Sequence, residues 1–270
     1  MTRQIVIPVM RVFLFIVSVF IYVNGLGRHL THDEWLVKKY PRFSVFYTSV
    51  DSADMQIYAP YFLNGLDDVE RFFGVSFKNK FSIYIHPNRV SLDSVWQKDW
   101  GMPSFKSQCW MVASGVATKL DMISPKRWDS LACEHSYVDT LKTQKLIIHE
   151  LVHVLHGQYG KSSDFSEING IDWFVEGLAT YVSGQCDSER MAEVKEAITQ
   201  GNIPSSLANF WSGKLRYGLS GSVVIYIESE YGKDKLLELM AYSNLSEVLG
   251  ALETNEANLV SGWKGYMRAQ

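Results

Sequence analysis

The chain has 270 residues, 47% of them hydrophobic and 20% charged, with 26 Lys+Arg against 29 Asp+Glu and a net charge of -3. This composition is ordinary for a folded protein and argues against disorder. No long basic block is present, which argues against a nucleic-acid partner, and the length suits one large domain or two small ones.

The first residues stand apart. Arg3 and Arg11 precede an uncharged run from Val12 to Val23. That run is short of the roughly 20 residues a membrane span needs. It suits the apolar region of a secretory signal, with the arginines as its basic start and Val23-Asn24-Gly25 as a cleavage site. Residues 1–25 are therefore expected to export the chain, as a secreted or periplasmic protein. The alternative is a retained single-pass anchor over Ile5 to Val23, which would associate the chain with a membrane and leave its catalytic part outside the cytoplasm. Export permits a disulfide. Of Cys109, Cys133 and Cys186, the first two are the better-placed pair, against the alternative of three buried free thiols.

Residues 26–42 read as a linker. Arg42 to Val50 alternates and is rich in β-formers, so it predicts a strand. Asp51 to Gly74 carries Ile57, Tyr61, Leu66, Val69, Phe72 and Phe73 near helical spacing. Ser52 or Asp51 is its expected cap, Gly74 its stop, and Pro60 a kink or break. Lys80 to His86 predicts a second strand, stopped by Pro87, and residues 91–100 a short helix. Gln108 to Ala117 and Lys119 to Ser124 read as extended segments joined by a turn; residues 125–139 read as irregular. A helix through Thr143 to His156 follows, and residues 161–171 are a polar loop. From Asp172, an expected cap, helices are predicted over 173–182, 188–200, 217–231, 233–242, 246–252 and 258–268. The fold class is α+β. A mixed α/β part, 43–160, ends in the long helix; a helical part, 161–270, follows; a cleft is expected between them.

The long helix contains His149-Glu150-Leu151-Val152-His153, which reads H-E-x-x-H. Positions i and i+4 share one helix face, so both imidazoles can reach one metal ion while Glu150 holds a water beside it. The bland alternative is a pair of ordinary helix histidines. Against it, Leu146, Ile147, Ile148, Leu151, Val152, Val154 and Leu155 bury the helix on most sides, and buried polar groups need a partner.

A catalytic zinc takes three protein ligands and keeps one position open. The candidates for the third are His156 nearby and Asp164, Glu167, Asp172, Glu176 and Asp187 downstream. His156 is disfavoured, because one straight helix does not wrap three side chains around a tetrahedral ion. Glu176 is favoured: it lies in Trp173-Phe174-Val175-Glu176-Gly177-Leu178-Ala179-Thr180-Tyr181, where an acid among apolar neighbours is costly without a partner. Gly177 and Ala179 are small and are expected to let this helix approach the motif helix closely.

The pairing of HELVH with WFVEGLATY resembles the gluzincin metallopeptidases, the clan of thermolysin-like and M1-type enzymes, and within it the compact peptidase-MA-like proteins. Their second motif is W-x-x-E-G-x-A-x-Y. The resemblance implies a thermolysin-like zincin fold, one Zn²⁺, and Glu176 as third ligand beside His149 and His153. It also implies Glu150 as general base and a peptide or protein substrate. Tyr217 occupies a position where similar proteins often carry an oxyanion-stabilising Tyr. The metzincin pattern fails, since its Gly and third-His positions hold His156 and Tyr159. No G-x-M-E-N segment is present, so an endopeptidase is expected over an aminopeptidase. Thr180 stands where thermolysin-type enzymes carry an Asp that supports a histidine. The competing expectations are a catalytically idle zincin-fold binding module and a hydrolase of a non-protein amide.

Overall fold

In the computed structural model, which describes residues 34–270, three parallel strands form the centre of a five-stranded mixed sheet. Strands β1 (Leu36–Lys39), β2 (Phe43–Tyr47), β3 (Phe81–His86), β4 (Ala113–Val116) and β5 (Lys119–Ile123) are ordered β1-β2-β3-β5-β4. β2, β3 and β5 run parallel, and the edge strands β1 and β4 are antiparallel to their neighbours. The alternation in β2 and β3 puts Phe43, Val45, Phe81, Ile83 and Ile85 into the core. β1 falls within the stretch read as a linker; all four of its residues are exposed, so it carries no buried stripe from which to recognise a strand. The signal or anchor segment lies outside the described residues. Among those described, no helix is long and apolar enough to cross a membrane.

Helix α1 (Met55–Phe73) packs its Phe62, Leu66 and Val69 into the core and stops at Gly74, whose φ of 69° suits a residue without a side chain. It begins later than expected. Asp51 does not cap it: a 3₁₀ turn (Ser49–Asp51) buries that carboxylate, which accepts a hydrogen bond from Ser124 Oγ at 2.6 Å. Burial pushes the Asp51 pKa up, against the pull of Ser124 and Lys126. Helix α2 (Arg89–Asp99) starts at Asn88, whose side chain accepts from the Ser91 amide at 2.9 Å. The segment read as irregular contains a one-turn helix, α3 (Trp128–Leu131).

The motif helix is α4 (Thr140–Tyr159), three residues longer at its start than the apolar pattern shows. The Asp139 side chain accepts from the Lys142 amide at 2.9 Å, an N-cap bond that contributes about 1 kcal/mol. Beyond it come α5 (Asp172–Val182), α6 (Ser188–Gln200), α7 (Arg216–Tyr231), α8 (Lys233–Leu239), α9 (Leu245–Ala251) and α10 (Glu256–Ala269). Asp172 is the first residue of α5 rather than its cap; Ile171 holds the cap position without a side-chain bond. Trp35–Gln270 form one compact unit.

Two glycines set the helix spacing near the motif. A side chain on Gly115 of β4 would collide with the Glu150 carbonyl, so the edge strand lies directly on α4. A side chain on Gly177 would collide with the Ser220 carbonyl of α7. Gly177 thus serves close packing of α5 on α7, rather than the approach to the motif helix expected from its small size.

Candidate metal centre

On α4, His149, Glu150 and His153 are all buried, 6% exposed each. The Nε2 atoms of His149 and His153 lie 3.1 Å apart. The carboxylate of Glu176, carried in by α5, brings Oε2 to 3.4 Å from His149 Nε2 and 3.7 Å from His153 Nε2. These three residues form the one group of metal-ligand type found among the described residues.

The geometry fits a zinc ion. Ligand atoms about 2.0–2.1 Å from a tetrahedral zinc lie roughly 3.4 Å from one another, and the three edges here, 3.1, 3.4 and 3.7 Å, bracket that value. The donor set, two imidazoles and one carboxylate, is the zinc-hydrolase type. Burial opposes ionisation of Glu176, but the charge on His153 and the hydrogen bonds of both imidazoles outweigh it and hold the carboxyl below its usual range. An ionised carboxylate facing two ring nitrogens is the arrangement a cation requires.

The outer support differs from the usual pattern, in which a ligating imidazole donates its second N–H to a neighbour. His149 Nδ1 and His153 Nδ1 are buried with no protein hydrogen-bond partner. Thr180, at the place of the supporting Asp, donates instead to the Glu176 carbonyl at 2.7 Å, within its own helix.

The other candidates fall outside the group. His156 packs its ring against Phe165 and Phe174, at centroid distances of 5.3 and 5.8 Å. Burial, and then the nearby charge of His153, push its pKa down to about 3, so it is a neutral core histidine that hydrogen-bonds the Met240 backbone. Asp164 bonds the Ser166 amide and hydroxyl, and Asp187 caps α6 through the Arg190 amide at 2.9 Å.

Residues 128–219 match the family model Peptidase_M9, described as collagenase. The match covers about a third of the chain and includes His149, Glu150, His153, Glu176 and Tyr217. It supports peptidase activity of the metal-dependent class in general. No curated protein matches the chain. Among solved structures, native yeast LTA4 hydrolase is similar at a TM-score of 0.46 and 11% identity, over 88% of this chain and 38% of that one. The yeast enzyme in complex with bestatin gives 0.46 and 12%, over 81% and 36%. The chain therefore spans well under half the length of those proteins.

Around the three ligand-type residues, a cleft of about 860 Å³ runs between β4 and the α5–α7 region. Glu150 lines it, and burial raises its pKa, reinforced by the Glu176 charge and opposed by His149, His153 and the Gly115 backbone. Tyr217 stands at the start of α7 with its ring 6.3 Å from that of His149. Burial and the charge of Glu176 raise its pKa, against the pull of Arg216, so it is a neutral phenol with a proton to donate. Trp211 meets the Tyr217 ring edge-on at 4.8 Å. The Arg216 guanidinium lies among Trp110, Tyr217 and Trp211, at 4.6, 5.1 and 5.4 Å.

Trp110 belongs to the opposite wall of the cleft, and two devices hold its loop. A disulfide joins Cys109 to Cys133, Cα atoms 5.3 Å apart, and leaves Cys186 free. Arg89 donates to the carbonyls of Leu131, Gln108, Cys109 and Met111 and to the Ser107 hydroxyl. Sequence reasoning did not reach Trp110, Lys145, Arg190 or Trp211. Only Lys145, one turn before His149 on the same face, leaves a signal in the spacing.

Proposed function

We propose that the chain is a zinc metallopeptidase of gluzincin type, with a thermolysin-like zincin fold and endopeptidase rather than aminopeptidase activity. His149, His153 and Glu176 hold one Zn²⁺. The observation that carries the reading is the triangle of ligand atoms with edges of 3.1, 3.4 and 3.7 Å. Zinc, when bound, supplies a Lewis acid that polarises the peptide carbonyl and acidifies water.

The protein's own groups account for the rest. Glu150, held against β4 by the Gly115 backbone, accepts the proton of the attacking water at its carboxylate and passes it to the leaving nitrogen. Burial places this base in a medium where its raised pKa suits both halves of the transfer. Tyr217 donates its phenolic proton in a hydrogen bond to the oxyanion that develops on the carbonyl. β4 is the edge of the sheet and lines the cleft through Ala113, Ser114, Gly115 and Val116. Its outer backbone groups hold an extended substrate by strand addition. Such a strand lies beside Glu150 because Gly115 touches α4.

Digestion of a peptide library with and without chelator tests the reading. The expected result is internal cleavage that a chelator abolishes and added zinc restores. An intact library in the presence of zinc would favour a binding module or an amide hydrolase for non-peptide substrates. Tyr217→Phe is expected to lower kcat roughly 10²–10³-fold with KM little changed. A variant with kcat/KM within twofold of the parent would leave Tyr217 as a packing residue.

Export through residues 1–25, or anchoring by them, is part of the same proposal. The Cys109–Cys133 bridge supports it, because disulfides persist in oxidising compartments.

A further inference from the structure

Two cationic side chains enter the cleft beside the metal centre without an acidic partner. Lys145 lies one turn before His149 on the same face of α4, and Arg190 lies on α6 across from it; both line the cleft and both are half-buried. They belong to one neighbourhood: Lys145 Cε lies 3.8 Å from where a side chain on Gly184 would begin, and the Arg190 guanidinium bonds the carbonyl of the next residue, Gln185. Among the described residues, neither forms an ion pair, whereas Arg42, Arg71, Lys119, Lys126 and Lys142 each do.

The partners they do have leave their charge unanswered. Arg190 Nη1 donates to the Gln185 carbonyl at 3.0 Å, one of the five N–H groups of a guanidinium. The same guanidinium lies 5.4 Å from the Tyr217 ring centre, which ties it to the reacting end of the cleft. Glu189, its neighbour in sequence, is exposed and forms no ion pair among the described residues, and Asp187, three residues before, is exposed and caps α6 through the Arg190 backbone amide. Of the other acids that line the cleft, Asp139 pairs with Lys142, Asp164 bonds Ser166 and Glu176 faces the two histidines, while Glu134, Glu150 and Asp172 form no ion pair with Lys145 or Arg190. Partly buried cations are stabilised by an anion brought to them.

Distance sets what that anion is. Four residues of helix rise about 6 Å, and an extended peptide advances about 3.3–3.6 Å per residue. A group held by Lys145 and Arg190 therefore sits one or two residues from a carbonyl held at His149. We propose that Lys145 and Arg190 form a subsite for a substrate carboxylate one or two residues from the scissile bond. The proposal rests on the peptidase reading for its substrate and extends it to specificity. The carboxylate belongs either to a Glu or Asp side chain within the substrate or to the substrate's own C-terminus.

Binding to the full-length, zinc-loaded Glu150→Gln protein separates these sources without turnover. The probes are four acetylated apolar peptides of one length: one with an internal Glu and an amidated end, the same with Gln, one with a free C-terminal carboxylate and no acidic side chain, and its carboxamide. Titration calorimetry is expected to give roughly tenfold or greater preference for the acid over the neutral member of at least one pair, the size of a charge-assisted hydrogen bond. Adding Lys145→Gln and Arg190→Gln should bring that ratio to about one, while Lys145→Arg with Arg190→Lys keeps it, with metal content measured for each. Equal affinities within both pairs, or a preference that survives the Gln substitutions, would overturn the subsite. The wild-type protein incubated with the Gln peptide reports separately on peptidase activity, so loss of cleavage and loss of carboxylate preference are distinct results.

Discussion

Glu150→Gln is expected to reduce peptide hydrolysis by roughly 10²–10⁴-fold, the usual contribution of a positioned general base, with zinc still bound at one ion per chain. Gln is the informative replacement because it preserves shape. Glu150 is buried and lies against β4, where the Gly115 backbone hydrogen-bonds its carboxylate. An amide oxygen still accepts from a backbone N–H, but the side chain no longer accepts a proton at neutral pH. The ligand triangle does not include Glu150, so metal analysis of the variant separates loss of the base from loss of the ion. Full activity with zinc retained would remove Glu150 from the mechanism.

Glu176→Ala is expected to cost more than activity. It removes the one anionic member of the group and leaves His149 and His153 facing each other 3.1 Å apart with no carboxylate to neutralise a dication. Losing an outer-sphere partner of a metal ligand costs about 10–100-fold in affinity, and loss of a direct ligand exceeds that. Zinc stoichiometry after dialysis should fall well below one, and hydrolysis should fall with it. The rise in thermal stability that zinc confers on the parent, which follows from binding to the folded state alone, should vanish in the variant. Unchanged stoichiometry would move the third ligand elsewhere, with Asp172 the next acid on α5 to test.

Most helices were legible from local patterns, and their capping shows why. Asn88 and Asp187 bond the first turns of α2 and α6, and Gly74 and Gly201 end α1 and α6 in left-handed conformations. Each device acts within four residues, so a local reading finds it; α6 occupies Ser188–Gln200 as expected. The misses are long-range. Asp51 reads as a helix cap until Ser124, 73 residues away, takes its carboxylate into the core. β1 has four exposed residues and exists only because β2 offers it a pairing edge. Gly177 lies beside Glu176, yet its partner is Ser220.

At the site the same division holds. The spacing of His149 and His153 by itself determined that two imidazoles share one face, because helix geometry repeats every 3.6 residues. The apolar setting of Glu176 marked it as an acid in need of a partner. Whether that partner was the histidine pair depended on the fold of α5 against α4 and α7, which brings Oε2 within 3.7 Å of both rings. Tyr217 at 6.3 Å from His149, the edge strand against Glu150, and the entry of Lys145 and Arg190 into one cleft are likewise products of packing between elements remote in sequence. A pattern of residues records which side chains can do chemistry; only the close packing of helices and sheet decides which of them meet.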